Sequence, residues 1–447
     1  MIPDLTSAAA AVAAARSVVG EAASHLAAAG GVDANQAVAY DLAHAAASVE
    51  VAGHALSYGQ AGPVEASLAA AFVAEAVWDL GCRLLGRADA WGVSLDVLPL
   101  DFVAAHRDPA WLAGLAAEPG DRHLDADFEL VAATFRRFAE DRIVPVAERI
   151  HRDNGDIPED IISGLGELGA FGLSIPEAYG GFATGGEHDY LGMVIATEEL
   201  SRASLGVGGS LITRPEILAR ALLAGGTEEQ KCHWLPLLAT GSVMAGVAVT
   251  EPDYGSDVAG ITLVGAPDGD EWVLSGTKTW STFAARADVL MVLARTDPDR
   301  TKAHRGLSIF VVAKERADGR GFMLSQPGGG RLEGRPIDTI GYRGMHSYEL
   351  SFDGWRVPAD NLIGGPTGLG RGFYLQMEGF ENGRLQTAAR AVGVMQAAYE
   401  AAVSYAASRV VFGRPVGDYQ LTQVKLARMA AIIQAARQYM YEVGRLM

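Results

Sequence analysis

The spacing of apolar positions changes twice along the chain. Up to about residue 118 alanine dominates, broken at Gly30 and Gly31, at QAG and at AEPGD, which predicts several short helices joined by turns. From about 125 to 240 the period is helical: FELVAATFRRFAEDRIVPVAERI sets Phe128, Val131, Phe135, Phe138 and Ile143 three to five apart, a core-facing stripe. Between about 241 and 358 the period falls to two, or to unbroken apolar runs, in AGVAV, EWVLSGTKTW, ADVLMVLAR, GLSIFVVAK and SYELSFDGWRVP. Each run is bounded by Gly, Asp or Pro and reads as a strand. After LIGGPTGLGRG the helical period returns through Phe373, Met377, Phe380, Thr387, Ala391, Met395 and Tyr399 and continues to the end. The order is helices, sheet, helices, an α+β chain with boundaries expected at 1–118, 119–240, 241–360 and 361–447.

Composition narrows the partners. The chain has 447 residues, 36 basic against 54 acidic, and a formal charge of −18, which argues against a bare polyanion such as nucleic acid. A compact phosphorylated ligand needs only a few aimed donors and stays open. Cys82 and Cys232 cannot make a disulfide framework and lack zinc-ligand spacing, so two reduced, buried thiols and no metal are expected. The opening MIPDLTSAAAAVAAARS lacks a basic head followed by an apolar run, and the expectation is a cytoplasmic protein. VEASLAAAFVAEAVWDL is interrupted by Glu65, Glu75 and Asp79 and reads as a packed helix, with no membrane partner.

Few motifs survive a physical test. SGLGELG matches GxGxxG at Gly164, Gly166 and Gly169, but a dinucleotide loop needs a strand before it. Here DIPEDII reads instead as a helix start, with Asp156 as N-cap and Pro158 in the first turn. QPGGGRLEG and GGPTGLGRG read as connectors. The loop TEPDYGSD, Thr250 to Asp257, is different: it follows an apolar strand and is strongly polar. Taken with GTKTWST, it offers hydroxyls at Thr250, Ser256 and Thr282 and one large aromatic, Trp280. Such a set could line a flat ligand needing donors at its edge and stacking on its face, or could be ordinary strand-turn chemistry.

VTEPDYGSDVAG, GTKTWST, IGYRGMHSYELSFDGWRVPADNLIG and RVVFGRPVGDYQ, in that order, resemble the acyl-CoA dehydrogenase family of flavoenzymes over roughly residues 125 to 447. The resemblance implies a helical extension, a helical domain, a central β-barrel-like domain and a C-terminal helical bundle. It implies a non-covalent FAD, with Thr250 and Ser256 contacting the flavin or its ribityl-phosphate arm, Trp280 stacking on the ring and Thr282 near N5. Arg409, Phe412 and Gln420 match residues that reach the FAD of a neighbouring subunit, which implies a homodimer or homotetramer. Tyr254 departs from the family pattern, where a small residue is usual.

The implied reaction removes a proton beside a thioester and passes hydride from the next carbon to flavin, with electron-transfer flavoprotein as acceptor. The N-terminal extension and FENGRLQTAARAVG imply methylsuccinyl-CoA as the acyl-CoA substrate and mesaconyl-CoA as product. The base should be a glutamate at one of two places. The first aligns with Gly383, and Glu381 and Glu378 lie on other helix faces. The second falls beyond Met447, so a C-terminally truncated chain is expected. Gly383 leaves room for a branched acyl chain or serves close helix packing. Arg384 is expected beside the pocket, and Arg214 either meets a distal carboxylate or pairs with Glu216 or an Asp at the surface. An oxidase, a dehydrogenase for another short branched acyl-CoA, and a silent member without a base stay open.

Overall fold

The computed structural model describes residues 4–186 and 188–447, and its contacts divide the chain into two compact units. The first joins the residues up to Asp125 with Met395–Val443. The second is Ala126–Val394 with Gly444–Met447.

In the first unit the alanine-rich segment forms three helices longer than expected, α1 (Leu5–Ala28), α2 (Gln36–Gly59) and α3 (Pro63–Leu84), and the short helices expected follow them, as at Leu100–His106 and Pro109–Ala113. Alanine explains the difference, because it loses no side-chain entropy in a helix and lets neighbours approach closely. Ala8, Ala11, Ala15, Ala45, Ala52, Ala70 and Ala74 are all buried in one cluster with Leu80, Leu84 and Trp91. The breaks at Gly30 and at QAG fall where expected. Cys82 and Cys232 are free but exposed, contrary to the expectation of burial.

In the second unit α4 (Ala126–Phe138) meets α5 (Val144–Asp153) through a π-helical turn, Ala139–Ile143. The extra residue of that turn explains the five-residue step from Phe138 to Ile143. Next come α6 (Glu159–Glu167), α7 (Asp189–Ala203), α8 (Thr213–Gly225) and α9 (Glu228–Ala239). The N-cap of α6 is Pro158, not Asp156. The Asp156 carboxylate instead accepts from the Gly319 amide (3.0 Å) and lies 3.0 Å from His346 Nε2. Two long helices close the chain, α10 (Gly372–Ser408) and α11 (Gln420–Leu446).

The sheet holds β1 (Ala245–Ala248), β2 (Val264–Asp268), β3 (Glu271–Thr282), β4 (Val289–Arg295), β5 (Leu307–Ala313), β6 (Phe322–Ser325), β7 (Arg331–Ile337) and β8 (Ser347–Pro358). Its order is β1-β4-β2-β3-β8-β7-β6, with β5 also paired to β4. β1 runs parallel to β4 and most other pairs are antiparallel, so the sheet is mixed. It does not close, which corrects the barrel-like expectation. A barrel needs its outer strands hydrogen-bonded to each other. Here four-residue β6 pairs only with β7, and β5 pairs only with β4. The glycine-rich QPGGGRLEG is likewise only half connector, since its last four residues begin β7.

Candidate active site

Between β1 and β3 the polar loop is anchored from beneath by a buried ion pair. Glu251 Oε1 accepts from Lys278 Nζ (2.9 Å) and the Leu263 amide (2.8 Å), and Oε2 accepts from the amide and hydroxyl of Thr262 (both 2.7 Å). Lys278 Nζ also donates to the Val249 carbonyl at 2.8 Å. Every charge-bearing atom is therefore satisfied, which is what makes a buried pair tolerable. Burial pulls the Lys278 ammonium down to about 8, against the opposing pull of Glu251. Burial pushes Glu251 up, but Lys278 and the amide donors outweigh it and hold the carboxyl below its usual range. Both groups are charged at pH 7.

The loop itself is closed by reciprocal hydrogen bonds between the backbones of Glu251 and Tyr254 (3.0 and 3.1 Å). Tyr254 fits because it lies over a glycine: a Cβ at Gly260 would stand 2.5 Å from its ring. The bulk at this departure from the family pattern is thus accommodated locally.

Trp280 owes its position to a bulge. Lys278 opposes Leu350 and Ser281 opposes Tyr348, so β3 spends one residue more than β8 across this step. Trp280 takes up the slack at φ 58, and its side chain is 57% exposed although its neighbours Ser281 and Thr282 are buried. A left-handed backbone at a bulky residue is strained and persists only where the surroundings impose it. Thr279 donates its amide to the Thr250 carbonyl (2.8 Å), tying the bulge to the polar loop. The Thr282 hydroxyl lies 3.0 Å from that of Ser347. Among the described residues the hydroxyls of Thr250 and Ser256 have no partner. An exposed indole on a bulge tied to a loop that carries uncommitted hydroxyls fits a flat, polar-edged ring system.

On α10, of the positions anticipated from the sequence Tyr399 is buried, Phe373, Met377, Phe380 and Met395 are half-buried, and Thr387 and Ala391 are exposed. The buried face runs through Leu375, Gln376, Asn382, Leu385, Gln386, Ala389 and Val392. Two of its polar members, Asn382 and Gln386, donate through Nδ2 and Nε2 to Glu216 of α8, which is fully buried and also accepts from Tyr190 Oη. Burial pushes the Glu216 carboxyl up to about 7, against the pull of these donors. Tyr190 and Arg220 extend from this network to the wall of a cavity of about 500 Å³, which none of the residues expected at a flavin lines. Gly383 faces open space, with nothing within 4 Å of an added Cβ, so close helix packing does not explain it. Arg384, Glu381 and Glu378 are exposed.

Arg214 does not pair with Glu216. Its Nη2 donates to Tyr342 Oη (3.2 Å), and Arg390 Nη1 reaches the same phenol (3.4 Å) and the Ser210 hydroxyl (3.1 Å). Burial raises the Tyr342 phenol, but the two guanidinium groups beside it prevail and leave it below its ordinary value. Tyr342 and Arg390 were not anticipated as site residues, although Tyr342 lies in the quoted IGYRGM stretch and only its contacts single it out.

The remaining expected residues belong to the first unit. Val410–Val411 and Arg414–Pro415 form a hairpin whose two-residue turn, Phe412 and Gly413, has φ 51 and 81, as a type I′ turn requires. It presents the Phe412 ring 95% exposed. Arg409 and Gln420 are exposed as well. Among the described residues no group of three or more His, Cys, Asp or Glu could hold a metal ion, and no helix is long and apolar enough to cross a membrane.

Comparison with known proteins agrees with this architecture. Family models match residues 125–242 (acyl-CoA dehydrogenase, N-terminal domain), 246–355 (middle domain) and 370–447 (C-terminal domain). The chain is 44% identical over 350 residues to (2S)-methylsuccinyl-CoA dehydrogenase of Cereibacter sphaeroides, covering 76% of this chain and 62% of that one. It is 34% identical to glutaryl-CoA dehydrogenase of Desulfococcus multivorans, covering 72% and 78%. A solved glutaryl-coenzyme A dehydrogenase in complex with glutaryl-CoA superposes with a TM-score of 0.65 at 33% identity, over 73% of this chain and 78% of that one. A glutaryl-CoA dehydrogenase from Mycobacterium smegmatis in complex with FADH2 gives 0.62 at 29% identity, covering 72% and 76%. The chain belongs to the acyl-CoA dehydrogenase family.

Proposed function

We propose that the protein is an FAD-dependent dehydrogenase of a short branched acyl-CoA, with (2S)-methylsuccinyl-CoA as substrate and mesaconyl-CoA as product. The observation that carries this reading is the bulged rim of the sheet, where an exposed Trp280 follows a residue hydrogen-bonded to the loop that carries the free hydroxyls of Thr250 and Ser256, in a chain of this family. Trp280 would cover one face of the isoalloxazine, the Thr282 hydroxyl would meet its edge, and Thr250 and Ser256 would hold its polar arm. FAD supplies the hydride acceptor when bound. Arg409, Phe412 and Gln420 are assigned to the cofactor of a neighbouring subunit, in a homodimer or homotetramer. Arg384 and Arg214 are assigned to the substrate, and electron-transfer flavoprotein to the role of acceptor. Gly383 contributes space beside the acyl group and no carboxylate.

The test is spectroscopic. Protein incubated with excess FAD and desalted is expected to stay yellow, and bleaching by methylsuccinyl-CoA under anaerobic conditions is expected only where a glutamate base is supplied, since Gly383 carries none. Retention of FAD with no bleaching by any acyl-CoA even with a base in place marks a silent member of the family. A colourless protein after gel filtration overturns the reading at its base.

A further inference from the structure

The cluster around Tyr342 carries a charge imbalance that the flavin chemistry does not use. Two guanidinium groups converge on one phenol oxygen, and among the described residues neither has a carboxylate at ion-pair distance. Arg214 Nε is buried and has no hydrogen-bond partner. Like charges held together in a half-buried place repel unless an anion joins them. The backbone is strained at the same point, with Tyr342 at φ 62.

The direction of Arg390 shows where an anion would come from. Its Nε donates to the Gln386 carbonyl (3.3 Å) and its Nη2 to the Thr387 hydroxyl (2.7 Å), which in turn donates to the Gly383 carbonyl (2.8 Å). The side chain therefore folds back along α10 toward Gly383, the position bordered by open space. From Gly383 to Arg390 the helix rises about 10 Å, and the backward lean of the arginine shortens that span. A short acyl group beside Gly383 would end within reach of the guanidinium groups.

We propose that Arg390 and Arg214, bridged by Tyr342, form a cradle for a carboxylate at the far end of the acyl group, and that Arg390 sets the preference for dicarboxylic over neutral acyl-CoA esters. Planar forks suit a carboxylate, which can accept from both at once. The proposal rests on the acyl-CoA reading of the site and adds to it the class of acyl group and two residues, Arg390 and Tyr342.

Calorimetric binding to the FAD-loaded protein tests it, with methylsuccinyl-CoA, the uncharged 2-methylbutyryl-CoA and free CoA as probes. The unaltered protein is expected to bind methylsuccinyl-CoA more tightly than 2-methylbutyryl-CoA. Arg390→Gln is expected to reduce that ratio by about tenfold or more, the scale of one charge-assisted hydrogen bond, and Arg390→Lys to restore part of it. Arg214→Gln should act in the same direction. Equal weakening of both esters, no initial preference, or an equal loss for free CoA, which carries only phosphates, would each overturn the cradle. Flavin retention is read in parallel: FAD lost on gel filtration, with the binding preference intact in the flavin-free protein and sensitive to Arg390, removes the dehydrogenase reading and leaves the cradle standing.

Discussion

Two charged clusters in the same unit are built on opposite terms. Beneath the polar loop, Lys278 and Glu251 cancel each other and spend their remaining donors and acceptors on backbone and on Thr262. Around Tyr342, Arg214 and Arg390 are left without an anion. The first arrangement needs nothing from outside and serves as scaffold. The second is incomplete as a protein structure, and incompleteness of this kind belongs to binding sites, where stability is given up for a ligand. Glu216 is a third case: a buried carboxyl with, among the described residues, no cation at ion-pair distance, pushed up to about 7 by burial against the pull of the side chains that donate to it.

Removing one partner should therefore have opposite consequences in the two clusters. Lys278→Met leaves Glu251 buried without its cation and is expected to cost about 3–5 kcal/mol in urea denaturation, with FAD retention falling in parallel. A wild-type midpoint would break the comparison outright. At Glu216 the folded carboxyl keeps its proton up to about 7, whereas the unfolded chain releases it near 4.5. The contribution is thus fully present below pH 4.5 and is lost as pH rises through 7, on the order of 3 kcal/mol over that window. Glu216→Gln should flatten this part of the stability profile, and an unchanged slope would show that Glu216 is ionised throughout.

Smaller effects sharpen the contrast. Trp280→Gly relieves a left-handed backbone at an exposed ring, so it is expected to raise stability by about 1 kcal/mol while FAD retention after gel filtration falls. Arg214→Met removes one of two uncancelled charges, and its expected effect on stability is zero or a gain within about 1 kcal/mol. A loss above about 2 kcal/mol, the scale of a charged hydrogen bond, would place Arg214 with the scaffold instead.

How much of this was legible in the sequence depended on what each residue's role requires. β4 and β5 are buried on both faces and read as unbroken apolar runs, so they were found. β2, β6 and β7 contain VGAPD, FMLS and RLEGRPI, short or interrupted by Gly and Pro, and were not recognised. α10 was found as a helix, but its buried face carries Gln376, Asn382 and Gln386, which an apolar count passes over. GTKTWST singled out Trp280 and Thr282 as letters; the bulge that turns the indole outward depends on register with β8 and is invisible in one strand. Tyr342 is 128 residues from Arg214 and 48 from Arg390, a separation at which only the fold can bring them together.

The bulge in β3 has a further consequence. Over their paired length β3 and β8 match in count, Glu271 opposite Pro358 and Thr282 opposite Ser347, because the extra residue of β3 between Lys278 and Ser281 is offset by one that β8 has opposite Leu274 to Gly276. Removing Thr279 alone would leave that second irregularity uncompensated, so the outward turn of the indole is locked into the register of the whole strand pair.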